Sequence, residues 1–285
     1  MAPRLVAGGH TQQVSVPDVR RLHLKLPALA WRGRRASLVH VWAAKRDVVG
    51  MDAKSAVQER TLMQRLGQSF NSAGIALFAR VALSDQPLSL PHLSVADLRW
   101  IDWPALKAAG FHGCVFDKDN TLTEPYELEL HPHVRDSLAE CSRVFEGRLV
   151  LYSNSAGLQQ FDPDGKEAAV LEAALGIPVL RHREKKPSGG SEDIEQHFGC
   201  KAEQLIMVGD RYLTDVVFGN RNGMLTIRPA PFTSRGEPKA VLLARSIEEA
   251  CAARWQRAGV QPPSHPLVQS AAAAAAFIRH PDAWQ

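Results

Sequence analysis

Between residues 111 and 232 the chain repeats one unit: a short apolar run closed by a turn, then a stretch of helical periodicity. This alternation constrains the fold more than any other feature. Strands separated by helix-length segments cannot pair as tight hairpins and are joined by crossovers into a parallel sheet. The runs are Gly113 to Phe116, Arg148 to Tyr152, the short Ile177 to Leu180, Gln204 to Val208, and Met224 to Ile227. Helices are expected over Pro132 to Val144, Lys166 to Leu175, Ser191 to Phe198 and Leu213 to Asn222, with Gly176 and Gly223 just past two of them, where helix C-termini favour glycine. The expected fold class is α/β, an open, mostly parallel sheet with helices on both faces.

In such a sheet the carboxyl ends of the strands lie along one edge, and ligands bind in the crevice there. The polar residues fall on that edge. Asp117 and Asp119 follow the first run, Ser153 and Asn154 the second, Lys185 and Lys186 the short third, and Asp210 with Asp215 the fourth. Unpaired buried charge is costly, whereas a divalent cation together with a phosphate anion satisfies carboxylates and lysines at once.

Asp117-Lys118-Asp119-Asn120-Thr121, Ser153, Lys186 and Gly209-Asp210-Arg211-Tyr212-Leu213-Thr214-Asp215 resemble the four ordered motifs of the haloacid dehalogenase (HAD) phosphatase superfamily. A lone D-x-D-x-T is weak; four motifs in order, each after an expected strand, are specific. The wording Val115 to Thr121, Tyr152 to Gly157, Gly176 to His182, Lys185-Lys186-Pro187 and Val208 to Arg211 is closer still to the HAD-type phosphatidylglycerophosphate phosphatases of mitochondria and their bacterial relatives, and Phe70 to Ile75 resembles that family's opening segment. The likeness spans about residues 70–232. It departs at Ser188-Gly189-Gly190, where the family commonly shows glycine and cysteine. The resemblance implies a Rossmann-like HAD core, Mg2+ as cofactor, an anionic phospholipid at a membrane surface as substrate, and a step in phospholipid and cardiolipin synthesis.

The residues themselves support that chemistry. Phosphate monoesters hydrolyse extremely slowly without a catalyst, so a site must neutralise charge and place a nucleophile in line. Asp117 is the expected nucleophile, giving an aspartyl-phosphate that water then hydrolyses. Asp119, two residues on, is the expected general acid and then base. Asp117, Asp210 and the backbone carbonyl of Asp119 offer the hard oxygens that Mg2+ prefers. Ser153, Asn154 and a lysine are expected to hold the phosphoryl oxygens, the family pattern favouring Lys186 over Lys185. Asp215 is expected to support Lys186 or a metal-bound water; the alternative is a solvent-facing helix residue. Arg181-His182-Arg183 reads equally as a head-group contact or an exposed loop.

Spacing bounds the substrate. Ser153 stands only 34 positions after Asp119 and Lys186 only 33 after Ser153, each interval already filled by a helix and a strand, so no large cap domain fits. An uncapped crevice admits a head group still attached to a membrane. Two other readings use the same residues: a phosphatase of a soluble, nucleic-acid or protein phosphomonoester, and an inactive lipid-binding or scaffold module.

Charge adds an organisational signal. The formal net charge is +4, but residues 1–60 hold eleven Lys/Arg against four Asp/Glu, leaving 23 basic and 26 acidic residues over 61–285. No nucleic-acid partner is expected of a body with that balance. The acid-poor, arginine-bearing start is typical of organelle transit peptides, a basic tail being the alternative. Four zones follow: a basic leader (1–68), an apolar lead-in with a possible membrane-surface helix over Ala73 to Leu83 (69–110), the phosphatase core (111–232) and a helical C-terminal tail (233–285). The expected location is the mitochondrion, peripheral on the matrix side of the inner membrane, or the chloroplast. The longest uncharged run without proline, Leu66 to Ala79, is 14 residues and too short to span a bilayer. Cys114, Cys141, Cys200 and Cys251 form no C-x-x-C pair and are read as reduced, mostly buried thiols. Oligomeric state leaves no mark in the sequence.

Overall fold

The computed structural model describes Val81 and residues 84–279. The leader lies outside these residues, and so does the stretch 73–83 except for Val81, which is buried. The described elements run β1 (Leu93–Val95), α1 (Trp103–Ala108), β2 (Gly113–Phe116), α2 (Arg135–Val144), β3 (Leu149–Leu151), α3 (Lys166–Leu175), α4 (Glu192–Phe198), β4 (Leu205–Val208), α5 (Val217–Arg221), β5 (Leu225–Pro229), α6 (Lys239–Arg257) and α7 (Ala271–Ala275).

The five strands form one parallel sheet in the order β1-β5-β4-β2-β3. Alternate residues of each strand point to opposite faces, and each face has its own cover. Cys114, Phe116, Leu149, Leu151, Ile206, Val208, Leu225 and Ile227 pack with Trp103, Leu106, Leu138, Cys141 and Leu171 from α1, α2 and α3. Val115, Val150, Leu205 and Met207 pack with Ile194, Phe198 and Phe218 from α4 and α5. Both faces are therefore buried, which is why the strands read as unbroken apolar runs. No helix among the described residues is long and apolar enough to cross a membrane.

Chain order and strand order part company at β2. The chain leaves β2 for β3 on one side, then returns to β4 on the other. That reversal opens a crevice at the carboxyl ends of β2 and β4, the place where open α/β sheets bind ligands. Phe116 is in register with Val208, so Asp117 and Asp210 leave adjacent strand ends, and the Asp117 amide donates to the Val208 carbonyl at 2.8 Å.

The expected run Ile177 to Leu180 is a bridge rather than a full strand. Leu151 N donates to Pro178 O and Leu180 N to Leu151 O, both at 2.8 Å, and Pro178 has no N–H to extend the ladder. The expected helix Leu213 to Asn222 begins as a wide π-type turn, Tyr212–Val216, before α5. Edge strand β1 lies within the stretch read as a lead-in; three residues are too few to declare a period, and pairing with β5 creates the strand. Cys114 and Cys141 are buried with their sulfurs 3.7 Å apart, while Cys200 and Cys251 are half-buried; all four are free thiols.

Candidate active site

The site begins with the two loops at the reversal. After β2 the chain turns at Asn120, which takes a left-handed φ of +58°, a conformation asparagine tolerates better than most residues. After β4 comes Gly209. A Cβ there would stand 2.4–2.6 Å from the Asp215 side chain, so only glycine lets Asp215 fold back over the strand end. Asp215 is thereby buried, its Oδ2 accepting the Arg211 amide at 3.1 Å.

Lys186 reaches this point from the loop after the Val179 bridge. Its backbone is gripped by Asn154: the amide donates to Asn154 Oδ1 at 2.8 Å, and Asn154 Nδ2 donates to the Lys186 carbonyl at 3.3 Å. The side chain, 1% exposed, bridges Asp117 Oδ1 at 2.7 Å and Asp215 Oδ1 at 2.6 Å. Burial alone would lower the lysine's pKa, but the two carboxylates outweigh it and hold the ammonium above the ordinary lysine range. Lys185 lies elsewhere, half-buried with its ammonium 5.6 Å above the Phe161 ring. Of the two lysines, only Lys186 joins the acidic cluster.

Asp117, Asp210 and Asp215 offer carboxylate oxygens all within 4.8 Å of one another. Burial raises Asp117 to about 6 against the pull of Lys186, and raises Asp210 to about 7 against that of Arg245. Both oxygens of Asp210 are buried without a hydrogen-bond partner. Arg245 Nη1 stands 2.6 Å from Asp210 Oδ2, an ion-pair contact that lacks the alignment of a hydrogen bond.

Two residues expected to contact substrate are engaged otherwise. Asn154 has both ends of its amide on the Lys186 backbone, so it braces the lysine. The Asp119 carboxylate lies outside the three-carboxylate cluster; its Oδ1 pairs with Lys118 Nζ and accepts the Tyr126 amide at 2.9 Å, leaving Oδ2 clear of both contacts. The Ser153 hydroxyl contacts the Ser155 hydroxyl at 3.0 Å and accepts the Ser155 amide at 3.2 Å. His182 is buried beneath it, one ring nitrogen 2.9 Å from the Ser153 carbonyl and the other 2.7 Å from that of Glu184, while Arg181 pairs with Glu172 at 2.9 Å. Of the Arg181-His182-Arg183 loop, only Arg183 is exposed without such an engagement among these contacts.

The tail contributes what the sequence reading did not anticipate. Asn120 accepts the Thr233 amide and donates to Glu237; Glu237 takes a bidentate contact from Arg245; Glu248, buried on α6, takes another from Arg211. Charged residues on a helix pattern usually mark its solvated face, and nothing in the spacing of Arg245 and Glu248 distinguishes them from that.

An α/β phosphatase of the HAD type, with no cap domain among the described residues, is the class that this fold and cluster define. Residues 72–231 match the family described as mitochondrial PGP phosphatase, and the chain belongs to that family; it is a phosphatase. It is 56% identical over 240 residues to the chloroplastic phosphatidylglycerophosphate phosphatase 1 of Chlamydomonas reinhardtii, covering 84% of this chain and 89% of that protein. It is 50% identical over 207 residues to the chloroplastic/mitochondrial phosphatidylglycerophosphate phosphatase 1 of Arabidopsis thaliana, covering 73% of this chain and 60% of that protein's length. A mitochondrial phosphatidylglycerophosphatase of Saccharomyces cerevisiae is 32% identical over 114 residues, covering 38% of this chain and 61% of the yeast protein.

Proposed function

We propose that this chain removes the terminal phosphate of phosphatidylglycerophosphate, giving phosphatidylglycerol and inorganic phosphate, in a chloroplast or mitochondrion. The observation that carries the reading is the buried Lys186 held between Asp117 and Asp215 beside an Asp210 whose buried oxygens accept no hydrogen bond, in a crevice that no cap among the described residues encloses. The names of the relatives supply the lipid. Openness suits a head group that stays anchored in a bilayer.

The residues fit Mg2+. Three carboxylates are clustered, the Arg245 beside Asp210 is shared with Glu237, and the buried hard oxygens of Asp210 accept no hydrogen bond. Asp215 is committed to Lys186 and to the Arg211 amide, so Asp117, Asp210 and the Asp119 carbonyl are the residues that would hold the ion. When bound, the cation screens the nucleophile from the incoming dianion and stabilises charge on the transferred phosphoryl group.

The chain's own groups divide the rest of the work. Asp117 attacks phosphorus, and an aspartyl-phosphate splits one hard displacement into two. Lys186 keeps Asp117 oriented and offers its ammonium to the phosphoryl oxygens, while Asp215 fixes the lysine. Asp119 gives a proton to the departing glycerol oxygen from Oδ2, then takes one from the water that hydrolyses the intermediate.

Purified protein should release phosphate from vesicles carrying phosphatidylglycerophosphate when Mg2+ is present and not after chelation. Brisk turnover of a sugar phosphate alongside none from the vesicles would overturn the lipid assignment. A pH signature accompanies metal binding. Burial pushes Asp117 up to about 6 and Asp210 up to about 7 in the folded, metal-free protein, above their ordinary value of 3.8. Raised carboxylates make the folded state bind more protons than the unfolded one, so their contribution falls as pH rises from about 4 to about 7. The metal-free protein should therefore lose melting temperature over that window, and stabilisation by Mg2+ should grow from pH 5 to pH 8. Equal Mg2+ stabilisation at both ends would contradict a site built on these two carboxylates.

A further inference from the structure

Helix α6 has two faces with different tasks. One side carries Arg245, Glu248, Ala252 and Trp255, turned onto Asp210, onto Arg211 and into the small core around Leu90 and Tyr212. The opposite side is exposed. Among the described residues the exposed large hydrophobics are Leu243, Ile247 and Ile278, and the first two, at 64% and 45% exposure, sit four residues apart on α6. At 100° per residue Lys239, Leu243, Ile247, Ala250, Arg254 and Arg257 fall within an arc of roughly 80°, and all six are exposed. The stripe has an apolar centre, positive ends and no acidic residue. Of the two acids on α6, Glu248 is turned to Arg211, and Glu249 lies off the stripe and is paired with Arg228 at 2.8 Å.

We propose that this stripe of α6 docks the enzyme on an anionic bilayer surface, with Leu243 and Ile247 entering the head-group boundary and Lys239, Arg254 and Arg257 pairing with lipid phosphates. Helices that lie in that interface combine an apolar face with basic flanks in this way. Charge decides between occupants. A second copy packed across a two-fold axis sets the same stripe against itself, bringing Lys239 and the two arginines toward like charges, whereas an anionic membrane complements every ionic group present. The stripe and the site lie on opposite sides of one helix: Leu243 faces outward, and Arg245, two residues on, turns its guanidinium to Asp210. Only the choice of an anionic membrane rests on the lipid-phosphatase reading.

The test is co-sedimentation of the full chain with phosphatidylcholine vesicles containing or lacking phosphatidylglycerol. Wild type should bind the anionic vesicles, and Leu243→Asp/Ile247→Asp should bind them about tenfold less. Lys239→Glu/Arg254→Glu/Arg257→Glu should lose the preference for anionic lipid. Both variants should hydrolyse p-nitrophenyl phosphate as wild type does, because neither touches the site; this also reports that they fold. Equal vesicle binding by wild type and the Leu243/Ile247 variant, or no binding by wild type, overturns the proposal. So does a dimeric wild type that becomes monomeric in the Leu243/Ile247 variant, which makes the stripe a self-interface. Normal vesicle docking without phosphate release from phosphatidylglycerophosphate leaves the docking surface standing and removes the substrate reading instead.

Discussion

Asp117→Asn abolishes phosphate release, by on the order of 10⁴-fold or more, while the protein stays folded. Asparagine keeps the shape of the side chain and its contact distance to Lys186 but has no anionic oxygen to attack phosphorus. Stability should not suffer. Burial already disfavours the Asp117 charge, and Lys186 retains Asp215 as a partner. Above pH 7 the metal-free variant should melt at or above the wild-type temperature, because a carboxylate that must ionise at a cost in the folded state has gone. Steady-state kinetics and thermal melts on the same preparation separate the two effects. A variant that keeps most of its turnover would remove Asp117 as nucleophile, and with it the aspartyl-phosphate route.

Lys186→Met is expected to damage both activity and fold. Two carboxylates, one of them fully buried, would face each other without the ammonium now 2.6–2.7 Å from each. Removing one partner of a buried ion pair costs about 3–5 kcal/mol, which for a chain of this size lowers the melting temperature by on the order of 10 °C. Phosphate release should fall with it. The double variant Lys186→Met/Asp215→Asn distinguishes the causes. It should regain much of the lost stability, since the amide needs no counter-charge, yet remain inactive because Asp117 and the phosphoryl oxygens still lack their cation. Additive stability losses would show that Lys186 and Asp215 do not act as a unit.

Elements recoverable from sequence were those whose physics is local. Gly113–Phe116 and Lys166–Leu175 were legible to the residue, since a doubly buried strand reads as a continuous apolar run and a helix closes on glycine. Strand β1 was not. Leu93–Val95 has no period of its own and is extended only because β5 offers a free edge. The π-type turn at Tyr212–Val216 likewise reflects the need to carry Asp215 back over Gly209, which a helix propensity does not encode.

The same division runs through the site. Chain order by itself determined that Asp117, Asp210, Asp215 and a lysine before Pro187 belong to one crevice, because strand ends of a parallel sheet share one edge. Which lysine enters, that Asn154 serves the Lys186 backbone, and that a tail helix brings Arg245 to Asp210 were decided only by the folded chain. Those contacts join residues up to 69 positions apart within one site, and they arise because each buried charge must find an opposite one wherever the packing supplies it. No spacing rule records that choice, since it is made among neighbours that exist only after the sheet has closed around them.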